Sequence, residues 1–112
     1  MKLEDLVPPL ELCKQIPAGA FEDSALAWNE DETYPGAPAI LGLRANRVFS
    51  EGWRYIPAPT VAEIMAAMPA CTCYRLGETW TVALCNDTID NGVKSRRAAT
   101  AALRLYLEVR HD

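Results

Sequence analysis

A chain of 112 residues, half of them apolar and with a formal charge of −4, has the length of one domain and enough apolar material for a core without disulfide staples. Its acidity disfavours DNA or RNA as a partner, because neutralising phosphates supplies most of that affinity. No apolar run is long enough to span a bilayer, and the acidic start Met1-Lys-Leu-Glu-Asp-Leu6 lacks the apolar core of a secretory signal, so a cytosolic protein without a membrane segment is expected.

The charge is uneven. Residues 1–56 carry five Lys and Arg against nine Asp and Glu, whereas residues 57–112 carry six of each. Pro8-Pro9 opens a short helix over Leu10–Ile16, since proline is tolerated in a first helical turn whose amides are unbonded anyway. Leu12, Cys13 and Ile16 form its apolar stripe, and Pro17-Ala-Gly19 turns the chain. Ser24–Asn29 reads as a strand with Leu26 and Trp28 on one side. Glu30-Asp-Glu-Thr-Tyr-Pro-Gly-Ala-Pro38 reads as a loop; its three acids lack the alternating oxygens and glycine of a calcium loop. Ala39–Arg44 and Gly52–Ile56 are two further strand candidates, and Ala45–Glu51 between them has no clear pattern.

The sharpest local signal lies at 56–69. Thr60 stands where a helix N-cap belongs, and Glu63 is placed to reach back to the Thr60 amide as the acid of a capping box. Pro59 and Pro69 bound the helix, and Val61, Ile64, Met65 and Met68 recur at helical spacing. Next, Cys71–Leu76 and Thr79–Cys85 are alternating runs separated by Gly77-Glu78, the arrangement a type II′ hairpin turn favours. In that register Cys71, Cys73 and Arg75 share a face with Leu84, Val82 and Trp80, and Arg75 can stack on Trp80.

Asn86–Gly92 reads as a turn, in which Asp87 and Asp90 serve as turn and cap residues. Lys94–Val109 is then the longest helix, with Lys94, Arg96 and Arg97 as its solvated first turn. Ala99, Leu103, Tyr106 and Leu107 form one apolar stripe, while Ala98, Ala101, Ala102, Leu105 and Val109 form another. Together they exceed the usual apolar face, so the helix is either central to the fold or shared with a partner.

No chemistry stands out. There is no Gly-rich phosphate loop, no G-x-S-x-G elbow and no H-E-x-x-H. The single histidine, His111, is a poor base for any of the cysteines because it sits beside the last residue. Cys13, Cys71, Cys73 and Cys85 lack the paired spacing of a zinc site and read as free thiols. Catalytic residues, cofactor and metal are therefore all expected to be none. Trp28, Trp53, Trp80, Tyr34 and Tyr55 could line a ligand pocket or a partner surface, though core packing is the more frequent use of such aromatics.

Runs of strands joined by turns, with three helices, argue an α+β domain over 1–112 with a mostly antiparallel sheet of about four strands. Taken together, Val7–Lys14, Phe21–Trp28, Tyr55–Ile64, Trp80-Thr-Val82 and the alanine-rich Ala98–Leu107 resemble a group of small uncharacterised proteins of bacteriophages, prophages and the bacteria that carry them. That group combines a proline-led L-E-L-C-K helix, a strand ending in tryptophan, an A-P-T-x-x-E helix, a W-x-V strand and a final helix. Where it has an acidic T-E-A-D-A stretch, this chain has Lys94-Ser-Arg-Arg-Ala-Ala. The resemblance implies a sandwich-like α/β or α+β fold, a mobile-element origin and a bacterial host cytoplasm. It implies no catalytic residues. The expected role is a non-enzymatic accessory protein that binds another protein or its own copy. The expected contact surface is Ala98, Ala101, Leu105 and Val109. The alternative is a small-ligand module or minor enzyme with a pocket at Trp28, Trp53 or Tyr55.

Overall fold

A computed structural model describes residues 2–34, 36–43, 52–68, 70–85 and 92–109. A 3₁₀ turn, Leu3–Leu6, is followed by helix α1 (Leu10–Cys13) and strands β1 (Leu26–Asp31), β2 (Ile40–Leu43) and β3 (Trp53–Pro57). Helix α2 (Val61–Ala66), strands β4 (Cys71–Leu76), β5 (Thr79–Leu84) and β6 (Val93–Ser95), and helix α3 (Ala98–Val109) complete the described order. The strands form two antiparallel sheets of three, ordered β2-β1-β3 and β4-β5-β6. The domain is α+β, with six described strands in two sheets instead of about four in one.

Local chemistry explains the elements that matched. Thr60 caps α2 through a complete capping box, and the helix closes at Ala67 with a bond from its amide to the Ile64 carbonyl. β4 and β5 pair in the expected register, with Cys71 opposite Leu84, Cys73 opposite Val82 and Arg75 opposite Trp80. Gly77 has φ +64° while Glu78 does not enter the positive region, as a type II′ turn requires. The Arg75 guanidinium carbon lies 5.9 Å from the centre of the Trp80 ring.

Three expectations need correction: β1 begins at Leu26 and takes in Glu30 and Asp31 from the expected loop, and both end helices are shorter than their patterns suggest. The first helix ends at Cys13, and the chain runs on to Ile16 through tighter bonds from Gln15 to Leu12 and from Ile16 to Cys13. The last helix starts at Ala98, because Val93–Ser95 pairs with Trp80–Val82 as β6. Gly92 allows that pairing: a Cβ there would lie 2.8 Å from Thr81 Cγ2 and 3.1 Å from Ala83 Cβ. Lys94 therefore belongs to a strand. Arg97 reaches away from α3 to the 3₁₀ turn, donating to the Glu4 carbonyl at 3.2 Å and lying 3.7 Å from Asp5.

The core joins every layer. Val7, Cys13, Leu26, Ile56, Ile64, Val82, Leu103 and Tyr106 are all buried in one cluster. Helix α3 lies at its centre, packed against α1, α2, β5 and β6.

Candidate functional site

Half of the contact surface expected on α3 is buried within the chain. Seven of its twelve residues are buried, and they include Ala101 and Leu105 from the proposed contact stripe. Ala98 and Val109 are half-buried. The elements around α3 cover the middle of both stripes, and Leu12 and Ile16 pack against the cluster that holds Leu105. A helix packed on several sides needs more than one apolar stripe, which accounts for its composition.

The aromatic pocket is also rearranged. Trp28 Nε1 donates to the Pro8 carbonyl at 3.4 Å, and the Cys13 thiol donates to the same oxygen at 3.5 Å. Trp28 thus ties the first prolines to β1 and is not part of the groove described next. Trp53 is half-buried in β3, and it too lies away from the groove described next. Tyr55 does border an open groove of about 550 Å³, between the stretch from Cys13 to Ser24 and strand β3. The size falls within the range of small-molecule sites. Phe21 forms part of its wall with φ +59°, the only described non-glycine residue in the left-handed region, which costs about 1–2 kcal/mol for an L-residue. Its ring holds that position against Tyr106, with centroids 4.9 Å apart. Lys14 and Arg54 supply positive charge at the groove, and Lys14 is held by Glu30 at 2.9 Å. Glu22, Ser24 and Cys13 also border it.

A different surface stands out: the outer edge of the first sheet. β2 is Ile40-Leu-Gly-Leu43, four residues without a charge or a proline, and among the described strands it lies at the edge of its sheet. Ile40 is 59% exposed and Leu43 51%. The 3₁₀ turn packs beside β2 and adds Leu3 and Leu6, both also exposed. Natural sheets ordinarily guard such edges with charges, prolines or bulges, because unpaired edge amides and carbonyls invite another strand. Sequence reading located the strand; which strand lies outermost follows only from the sheet order.

All four cysteines are free thiols. Burial pushes the Cys13 thiol up to about 12, against a smaller opposing effect of the Trp28 hydrogen bond. Cys71 is raised by burial and by nearby Cys85, and Cys73 by burial and by Cys71. Among the described residues, no cluster of three or more His, Cys, Asp or Glu side chains could hold a metal ion. Nor is any described helix long and apolar enough to cross a membrane. His111 and the Asn86–Asn91 part of the turn containing Asp87 and Asp90 lie outside the described residues, as do Arg44–Glu51 and Pro69.

Thiol reactivity follows from this placement. A disulfide reagent at neutral pH is expected to modify exposed Cys85 first and to reach Cys13 only on unfolding, as mass spectrometry of timed samples would show. The raised Cys13 value also sets a sign. Above about pH 9 the unfolded chain loses this proton while the folded chain keeps it, so stability falls as pH rises from about 9 towards 12. Denaturant curves of wild type and Cys13→Ala should differ less at pH 10.5 (an alkaline condition within about that window) than at pH 8. A constant gap would show that Cys13 titrates alike in both states.

Comparison with protein-family models, characterised proteins and solved structures finds no match to this chain. The class defined here is thus a small α+β domain with two antiparallel sheets around a central helix, an open groove and an apolar sheet edge.

Proposed function

We propose that this chain is a small phage- or prophage-type accessory protein that acts by binding protein and not by catalysis. The observation that carries the reading is the uncharged, exposed edge strand Ile40–Leu43 beside Leu3 and Leu6. Extended-strand partners dock on such edges by backbone hydrogen bonds, while alternate side chains supply specificity. Its resemblance to phage and prophage proteins points to a bacterial cytoplasm as the working compartment.

The test is capture of protein from lysate of bacteria that carry the gene. The wild-type chain is expected to retain a defined partner, including its own untagged copy. Ile40→Lys and Leu43→Lys are each expected to lose it at least tenfold. Leu76→Lys, at an equally apolar site that is 70% exposed on the second sheet, should retain it. Equal retention by all three variants would remove the edge from the function.

A second reading rests on the groove, where Phe21 is held in a strained backbone state beside Arg54 and Tyr55. Strain of that kind recurs at ligand sites. It would make the protein a small-ligand module. Gene neighbourhood separates the two readings: virion, recombination or defence genes alongside favour the first, and a metabolic operon the second.

A further inference from the structure

We infer that the groove beside β3 takes a small amphipathic carboxylate, whose apolar body lies on Leu26, Ile56 and Phe21 and whose carboxylate pairs with Arg54. The inference rests on the groove reading above and names the class of its ligand.

Strand geometry builds the floor. Residues two apart on a strand lie on the same side of the sheet, so Arg54 and Ile56 share one face of β3. Their partners on β1 are Glu30 and Trp28, and Leu26 continues that face. Leu26 and Ile56 are buried in the core cluster and also border the groove, which gives it an apolar floor. Phe21 stands in the wall formed by the stretch from Cys13 to Ser24. Its contact with Tyr106 holds it there at positive φ, so this part of the wall needs no ordering when a ligand arrives.

Charge selects the head group. Arg54 is exposed at the solvent end of the same row. Glu30, its cross-strand neighbour, is the acid best placed to pair with it. The Glu30 carboxylate is taken instead by Lys14 at 2.9 Å, and among the described residues no ion pair reaches Arg54. A chain of formal charge −4 thus keeps a cation with no described acidic partner at the mouth of a part-apolar groove.

One guanidinium matches one carboxylate through two parallel N–H···O bonds. Glu22 also borders the groove and the chain is acidic, so a dianion such as a phosphate monoester meets more repulsion than a single carboxylate does. A neutral ligand gains nothing from Arg54. The volume of about 550 Å³ suits a small molecule with a ring or short chain.

The test titrates phenylbutyrate and its neutral amide, phenylbutyramide, into the isotopically labelled full chain and follows the backbone amide signals by NMR. Saturable binding of the acid is expected, with shifts at Phe21, Leu26 and Ile56, and the amide is expected to bind about tenfold more weakly. Arg54→Gln should bind the acid no better than the amide, Arg54→Lys should recover part of the difference, and Lys94→Gln on the second sheet should match the wild type. Phenylphosphate should bind more weakly than phenylbutyrate. Equal binding of acid and amide overturns the inference, and so does full binding by a folded Arg54→Gln protein; either result leaves the groove as a site for neutral ligands. Tighter binding of phenylphosphate overturns the carboxylate. No saturable binding of phenylbutyrate, phenylacetate or hexanoate, or of their amides, overturns the inference and the groove reading together. Should Arg54→Gln fail to fold, the acid and amide on the wild type decide alone.

Discussion

Leu105→Glu is expected to leave no folded protein. Leu105 is 4% exposed within the central cluster, on a helix packed against α1, α2, β5 and β6. Removing a buried leucine side chain costs about 2–5 kcal/mol. Placing a carboxylate in the same apolar site adds several kcal/mol, since no described cation is buried there to pair with it. Total stability for a domain of this length is on the order of 5–15 kcal/mol, so the sum removes most or all of it. Far-UV circular dichroism and proton chemical-shift dispersion would show the collapse. The result separates core from contact surface: a mutation on an interface helix would give a folded monomer. A cooperatively folded Leu105→Glu protein with near-wild-type stability would mean that Leu105 is not covered, and would restore α3 as the contact face.

This reversal shows which parts of the molecule a sequence can carry. The Gly77-Glu78 hairpin and the Thr60–Glu63 box are local, each set by residues only a few positions apart, and both stand where turn and capping chemistry place them. β6 was hidden because three residues, Val93–Ser95, adjoin a strongly helical alanine run, and their strand state depends on β5 beside them. The apolar excess of α3 was legible, but its cause was not. Composition cannot distinguish a helix covered on several sides by its own chain from one covered by another chain. Arg97 illustrates the same limit, since its partners Glu4 and Asp5 lie at the other end of the sequence.

The two candidate sites were obscured for a related reason. The groove is made by segments near residues 13–24 and 54–57, and neither carries a motif. Tyr55 stands out in the sequence for its ring, but Phe21 matters more as a residue held at positive φ, a property no residue type announces. The β2 edge was visible only as an apolar run. It becomes a candidate once β1 proves to be the middle strand, with β2 outermost among the described strands.

Glu63 is expected to be the most costly single polar side chain to remove. Its carboxylate closes the α2 capping box, with Oε1 accepting from the Thr60 amide at 2.8 Å and from the Thr60 hydroxyl at 3.1 Å. It also reaches across the chain. Oε2 accepts from the Ala25 amide at 3.2 Å, and Oε1 takes a longer contact of 3.4 Å from the Ser24 hydroxyl, which donates at 3.1 Å to the Leu26 carbonyl. One side chain thus fastens the start of α2 to the start of β1, which borders the groove. Losing a cap costs about 1 kcal/mol, and a hydrogen bond to a charged group contributes about 1.5–3 kcal/mol net where it is well buried. Because the site is partly open to water, Glu63→Ala is expected to lose roughly 2–4 kcal/mol in chemical denaturation. Glu63→Gln keeps one acceptor but turns an amide donor towards N–H groups, so it should fall between the two. Ser24→Ala in the Glu63→Ala background should cost less than in the wild type, because the two side chains share a contact. A Glu63→Ala protein within about 0.5 kcal/mol of wild type would show that water replaces the carboxylate without loss, and that α2 and β1 are held together by packing alone.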